Sequence, residues 1–474
     1  MSEGRTKKLV KETGWFAIGN FGSKILSLLL VPVFTNILTT GEYGVIDIIN
    51  TTINLLIPVL TLEMAHGIFR FAMDKTCDTR SVASNCMLVT VISSVVLLLI
   101  YPIIELLLPS VVQYWWYFFF IYFFNSISSV LSMFMKGIDK SHVFAIQGVI
   151  YTFVFAVCNI VFLVGLKMRV EGYLLSLVLA HVASCVFITI AGDVKSYISL
   201  KNLDKSLMRD IFKFSVPMIP ATVAWWIMSS IDRYMLLYMC GAEANGLYGV
   251  AHKLPSVISV LTNFFIYAWQ ITAVRNMDEE DAGEYASKVY RILFVMGITI
   301  CFVMISVSEL LGLFFFKKEF YSAWTMTPSL SISAIFSTFT LFIGAQFTAS
   351  KRSDLHLKSN LIAMVTNIIL NYVLIKTFGI NGAAYGTMIS YFIILIYRQI
   401  KIKELIDFRY NSLKLYLSCT LLMVAGVVVS FDVPYYYVVS ILAFAVAIII
   451  HRHDYVEIFS AVCKLIKIKL KRRV

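Results

Sequence analysis

The chain has 474 residues, 59% of them hydrophobic and only 14% charged, with a mean hydropathy of +0.81. A soluble domain of this length does not carry so little charge, and a helical membrane span takes about 20 apolar residues, so a multi-pass membrane protein is expected. The net charge of +12 is spread over many short loops rather than gathered in one patch, which argues against a nucleic-acid partner.

Fourteen apolar stretches follow one another: 13–38, 44–66, 84–108, 114–136, 143–165, 173–194, 214–238, 247–273, 290–316, 326–350, 359–376, 382–398, 414–431 and 434–450. Continuously apolar runs such as 25–31 and 95–100 exclude an alternating barrel, so the fold class is all-α with about 14 transmembrane helices. Counting residues at span ends with the neighbouring loop, 37 of the 40 Lys and Arg residues fall outside the spans. The N-terminus and every second loop hold 32 of them, and the loops between hold five. Short loops rich in Lys and Arg stay cytoplasmic, so both termini are expected inside the cell. The first span is interrupted by Asn20 and Lys24 and has no small-residue cleavage site, unlike a removable signal. The eight cysteines, mostly inside spans, show neither metal spacing nor a pairing pattern.

The spans form a duplication. Tyr43-Gly44-Val45 recurs as Tyr248-Gly249-Val250, and Arg70 as Arg275, at an offset of 205 residues, with a methionine and an aspartate following each arginine (Met73-Asp74 and Met277-Asp278). The expected domains are a six-helix lobe over 1–194, a linker over 195–213, a second six-helix lobe over 214–398, and a helical hairpin with a basic tail over 399–474. Parallel repeats of this kind place a transporter's substrate site between the halves. In the linker, Leu203, Leu207, Met208, Ile211 and Phe212 recur at helical spacing against Lys201, Asp204, Lys205, Arg209 and Asp210, which predicts an amphipathic helix on the inner surface. The tail, with Lys464, Lys467, Lys469, Lys471, Arg472 and Arg473, fits a surface anchor for anionic lipid.

Ionisable residues inside spans nominally cost about 2.5–3.5 kcal/mol each at the centre and usually face an interior cavity. Lys24 lies in span one, Asp47 and Glu63 in span two, Asp232 and Arg233 in span seven, and His252 and Lys253 in span eight. Asp232 and Arg233 are read either as a structural ion pair or as ligand contacts. Arg70 and Arg275 are either positive-inside anchors or a matched pair flanking an inner mouth, where the guanidinium fork suits phosphate. Asp47, Glu63 and Asp232 are candidates for coupling an ion. Pro32, Pro58, Pro217, Pro220 and Pro255 punctuate the same four spans and are candidate hinges. No nucleotide loop, zinc pair or nucleophile motif is found, and no outer loop is long enough for a catalytic segment. An enzyme and a cofactor are therefore not expected.

Ser23-Lys24, Leu28-Leu29-Leu30-Val31-Pro32, Glu42-Tyr43-Gly44, Asp47 and Arg70-Phe71 resemble the opening of polysaccharide and O-antigen flippases. So do Val216-Pro217-Met218-Ile219-Pro220, Ser230-Ile231-Asp232-Arg233-Tyr234 and Gly246-Leu247-Tyr248-Gly249. These flippases belong to the multidrug, oligosaccharidyl-lipid and polysaccharide exporter superfamily. The resemblance implies a V-shaped cleft between two bundles and movement of an undecaprenyl-diphosphate-linked oligosaccharide from the inner to the outer leaflet of a bacterial inner membrane. It makes Lys24, Arg70, Asp232, Arg233 and Arg275 cavity candidates, to which position adds Lys253. The lysine in span one departs from the arginine-lined cavity of the lipid II branch. Lipopolysaccharide or O-antigen synthesis is the implied setting, with glycan polymerases or glycosyltransferases as candidate partners beside membrane lipid. A cation-coupled multidrug efflux antiporter of the same superfamily is the alternative, kept open by the three acids.

Overall fold

The computed structural model describes residues 26–74, 76–275, 279–432, 435–457 and 460. Every regular element among them is a helix, as a bilayer demands of chains that must satisfy their own backbone groups. Twelve helices are long and apolar enough to cross a membrane, and two shorter apolar helices, Leu26–Ile37 and Tyr436–Ile450, occupy the places expected for the first and last spans. The expected count of fourteen therefore stands as twelve plus two short helices among the described residues. The chain divides by contact into two compact units, Met1–Gly249 and Val250–Val474.

The first unit holds α1 (Val31–Ile37), α2 (Thr40–Leu60), α3 (Met64–Ala72), α4 (Thr79–Leu99), α5 (Trp115–Gly137), α6 (Ser141–Asn159), α7 (Arg169–Ala191), α8 (Lys205–Ser215), α9 (Ile219–Cys240) and the start of α10 (Ala242–Ala251). Local chemistry sets several starts. Thr39 forms a capping box with Glu42, and the Asp78 and Asp204 carboxylates take the first free N–H groups of α4 and α8. The core packs Ile68, Val82, Cys86, Val130 and Phe134 from α3, α4 and α5. Facing outward, Leu99, Leu106 and Ile190 are at least 74% exposed, an arrangement that lipid rather than water accommodates.

The second unit holds α11 (Lys253–Arg275), α12 (Ala282–Phe315), α13 (Thr327–Ala349), α14 (Ser353–Phe378), α15 (Ile380–Ile402), α16 (Ser412–Ser430) and α17 (Tyr436–Ile450). Helix α13 is buried around nearly its whole circumference, with Phe336, Phe339, Phe342 and Phe347 fully enclosed together with Ser329, Ser331 and Thr340, so it forms the centre of this unit. Trp269 stacks on Phe342 with ring centroids 4.2 Å apart, and Tyr290 and Phe294 extend the aromatic packing.

The helices differ from the predicted spans at several places, and span three is one of them, divided at Ile100 between Thr79–Leu99 and Tyr101–Leu107. Span two is not continuous: α2 ends after Pro58, Leu62 and Glu63 adopt left-handed backbone angles (φ 53° and 57°), and α3 restarts at Met64. Span eight is divided at His252, between α10 and α11. Only the second half of the linker forms an α-helix, α8, preceded by two 3-10 turns.

Candidate functional site

In the first unit, α2 and α9 run antiparallel and are joined by polar contacts along their length. Near the start of α2, side chains vanish from the crossing with α10. A Cβ on Gly44 would overlap the Ala242 carbonyl, and one on Gly246 would overlap that of Thr40. Asn245 Nδ2 donates to the Gly44 carbonyl at 2.9 Å across this contact. Beside it, Arg169 grips Glu42 with two parallel bonds of 2.7 and 2.8 Å.

One turn further, Asp47 faces Arg233, with Oδ2 and Nε 2.8 Å apart and both side chains about 15% exposed. Gly249 leaves room for the carboxylate, since a Cβ there would stand 3.0 Å from Asp47 Cγ. Asp232 is buried beside them, accepting the Arg233 backbone N–H at 2.9 Å and the Tyr248 hydroxyl. Adjacent residues on a helix point about 100° apart, so the two neighbours face different partners. Arg233 thus pairs with Asp47, on another helix, and Asp232 adds a second negative charge beside it.

Deeper along the same pair, the Thr52 and Tyr234 hydroxyls meet at 2.6 Å and Trp226 Nε1 donates to the Thr51 carbonyl at 3.2 Å. At the far end, buried Glu63 accepts the Thr222 hydroxyl and sits 2.7 Å from His66 Nδ1. The left-handed backbone of Leu62 and Glu63 aims this carboxylate, at a conformational cost of about 1 kcal/mol or more per residue. Asp47, Glu63, Asp232 and Arg233 therefore share one helix interface. Losing one partner of such a buried charge pair costs about 3–5 kcal/mol, because the other is left uncompensated.

The remaining candidates lie elsewhere. Arg70 is in the last turn of α3, 57% exposed, with Asp74 at 3.7 Å. Lys253 starts α11 in the second unit, and Arg275 ends it by backbone, its side chain falling outside the described residues. Lys24 also lies outside the described residues. Each proline stands within three residues of a helix end: Pro32 second in α1, Pro58 third from the end of α2, Pro217 in the 3-10 turn Val216–Met218, Pro220 second in α9 and Pro255 third in α11.

Sequence reasoning passed over Thr222, Tyr234 and Tyr248, because hydroxyl-bearing residues in spans carry no charge signal. It also counted Arg398 with a loop. Arg398 is in fact buried on α15 at 3% exposure, so the list of cations within spans was incomplete. Its guanidinium donates to Ser359 Oγ (3.0 Å), the Thr340 carbonyl (2.6 Å) and Asn360 Oδ1 (2.8 Å), and stands 6.0 Å from the Phe347 ring centre. The adjacent Ser359-Asn360 at the start of the predicted span 359–376 was the signal available for it.

Several known proteins resemble this chain in sequence or fold. The sequence profile of a family described as "polysaccharide biosynthesis protein" matches residues 9–270. An uncharacterized membrane protein of Methanocaldococcus jannaschii is 23% identical over 262 residues, covering 52% of this chain and 62% of that protein. A capsular polysaccharide biosynthesis protein of Staphylococcus aureus is 23% identical over 225 residues, covering 45% and 57%. A probable low-salt glycan biosynthesis flippase of Haloferax volcanii is 20% identical over 262 residues, covering 54% and 55%. The matched stretches thus span little more than half the length of these relatives. Among solved structures, an inward-facing multidrug resistance transporter of the MATE family superposes with a TM-score of 0.71 at 14% identity, over 81% of this chain and 95% of its own. The lipid II flippase MurJ in an inward closed conformation superposes at 0.70 and 14% identity, over 94% and 99%. At such identities the likeness establishes a shared fold.

Proposed function

The chain belongs to the polysaccharide biosynthesis protein family and has the fold of exporter-superfamily transporters, and from that premise we propose that it is a flippase for a lipid-linked oligosaccharide. Its cargo is an undecaprenyl-diphosphate-linked repeat unit, moved from the inner to the outer leaflet of a bacterial cytoplasmic membrane by alternating access, with both termini cytoplasmic. The working parts are a lobe over 1–194, a linker over 195–213, a lobe over 214–398, and an accessory hairpin with its tail over 399–474. The product feeds glycan polymerases or glycosyltransferases.

The observation that carries this proposal is the line of buried charge and hydroxyl groups along α2 and α9, centred on Asp47 and Arg233. A diphosphate and a sugar can cross a bilayer only against groups that replace their hydration. Arg233 binds a carboxylate in the resting pair and suits phosphate by the same fork geometry. Lys24, Arg70, Arg275 and Lys253 add positive charge for the head group. Asp47, Glu63 and Asp232 supply counter-charge when the cargo is absent, and the five prolines allow the helices to bend.

The test is the lipid extract of a deletion strain. Lipid-linked oligosaccharide accumulating on the inner leaflet, with surface glycan restored by the intact gene, is the expected result. Unchanged lipid pools with heightened sensitivity to organic cations would favour a multidrug efflux antiporter instead, which the buried acids and the MATE-like fold also suit. In the complemented strain, Lys24→Ala is expected to abolish export without loss of folded protein. Charge reversal at both Arg70 and Arg275 is expected to cost more than the sum of the two single reversals.

A further inference from the structure

Along α8 and into the 3-10 turn that follows it, Lys205, Arg209 and Lys213 recur every four residues, and so do Met208, Phe212 and Val216. Steps of four keep each set in one row, so a basic row and an apolar row lie side by side. With Pro217 these six residues line a groove of about 630 Å³. Its lining holds three cations, four apolar side chains and no acid. Asp210, 3.8 Å from Lys213, is not among the lining residues.

The helix is fixed from its other edge. Ile211 and Ser215 are buried against Gly67 of α3, and Phe214 meets Phe71 edge-on with ring centres 6.1 Å apart. The groove therefore belongs to a held element, yet Val216 in its floor remains 40% exposed. Exposed apolar side chains beside lysines and arginines are unfavourable in water and ordinary at a membrane interface.

We propose that this groove binds an acidic phospholipid of the adjoining leaflet, its phosphate held by Lys205, Arg209 and Lys213 and one acyl chain lying along Met208, Phe212 and Val216. Charge complementarity selects the anionic head, and the parallel apolar row selects a molecule with a chain attached to it. The groove ends at Pro217, in the 3-10 turn that leads into α9 and on to Thr222, the partner of Glu63. A seated lipid thus touches the joint through which α8 feeds the polar helix pair. This assignment is independent of what the protein transports.

The test uses the full-length protein in detergent with phosphatidylglycerol and phosphatidylcholine, the retained lipid being counted by native mass spectrometry. Wild type is expected to retain phosphatidylglycerol preferentially. Each basic residue near an anionic head contributes roughly fivefold in affinity, so Lys205→Gln/Arg209→Gln/Lys213→Gln is expected to reduce retention by tenfold or more. Phe212→Ser and Val216→Ser, which leave the charge unchanged, are also expected to reduce it. Val216 is exposed, so its variant reports on the groove even where Phe212→Ser disturbs folding. The basic tail is intact in every variant and cancels from the comparison. Equal retention by the triple variant, or equal retention of the two lipids by wild type, would overturn the proposal. So would loss in the triple variant with full retention in Val216→Ser, which means diffuse charge attraction. Displacement of phosphatidylglycerol by an undecaprenyl diphosphate at far lower concentration would reassign the groove to cargo.

Discussion

Among the described residues, two arginines are largely enclosed, one in each unit, and they are held in opposite ways. Arg233 faces a carboxylate from another helix, inside a chain of contacts that pairs acids with hydroxyls. Arg398 is enclosed by a backbone carbonyl, a serine and an asparagine from α13 and α14, all neutral. A charge paired with a charge can exchange its partner for another anion. A charge held by three neutral oxygens from two helices has nothing to exchange and serves to fasten those helices together. The same side chain is therefore a switchable contact in one place and a clamp in the other.

The contrast can be broken most directly at the clamp. Arg398→Ala leaves three acceptors without donors and a void between helices, and is expected to destabilise the protein by about 4 kcal/mol, read as lost thermal stability in detergent. Whatever protein survives is expected to transport normally per molecule; loss of transport at normal stability would place Arg398 in the site. Asp47→Ala should destabilise by about 3 kcal/mol and also abolish export, since it strands Arg233. A double-mutant cycle of Asp47→Ala with Arg233→Ala is expected to show coupling of about 2 kcal/mol, whereas additive losses would mean that the two do not act as a pair.

The smallest expected effect is at the cap of α4. Asp78→Ala should cost about 1 kcal/mol. Hydrogen bonding by Ser81 holds the Asp78 carboxyl below the usual carboxylate range. Stability from a lowered carboxyl is present above its unfolded value and lost as pH falls through the folded one. The difference between wild type and Asp78→Ala is therefore expected to shrink on acidification and to be unchanged between neutral and mildly alkaline pH.

Much of this was legible in the residues because hydrophobic length is a strong local signal. The spans, the amphipathic α8 and the acids Asp47, Glu63 and Asp232 within spans two and seven all rest on short-range patterns. The partner of Arg233 was not legible. Asp232 is its neighbour in the chain, whereas Asp47 lies far away in the sequence and on another helix. The break at Leu62 and Glu63 was hidden for a related reason: neither residue favours a left-handed backbone, and only contacts elsewhere hold them there. Arg398 was missed because it lies one turn from a helix end, where basic residues normally snorkel to the surface.

The bare crossing at Gly44 and Gly246 has a mechanical meaning. Helices meshed through large side chains must unlock each time they change angle, whereas backbones in direct contact can turn against each other like a pin in a bearing. From Gly44 to the end of α2 is about 24 Å at 1.5 Å per residue, so a turn of about 10° at this bearing swings the far end by about 4 Å. That travel exceeds the length of every hydrogen bond between α2 and α9. A small rotation at one end of this lever is enough to part Glu63 from Thr222 at the other while the Gly44 contact stays closed.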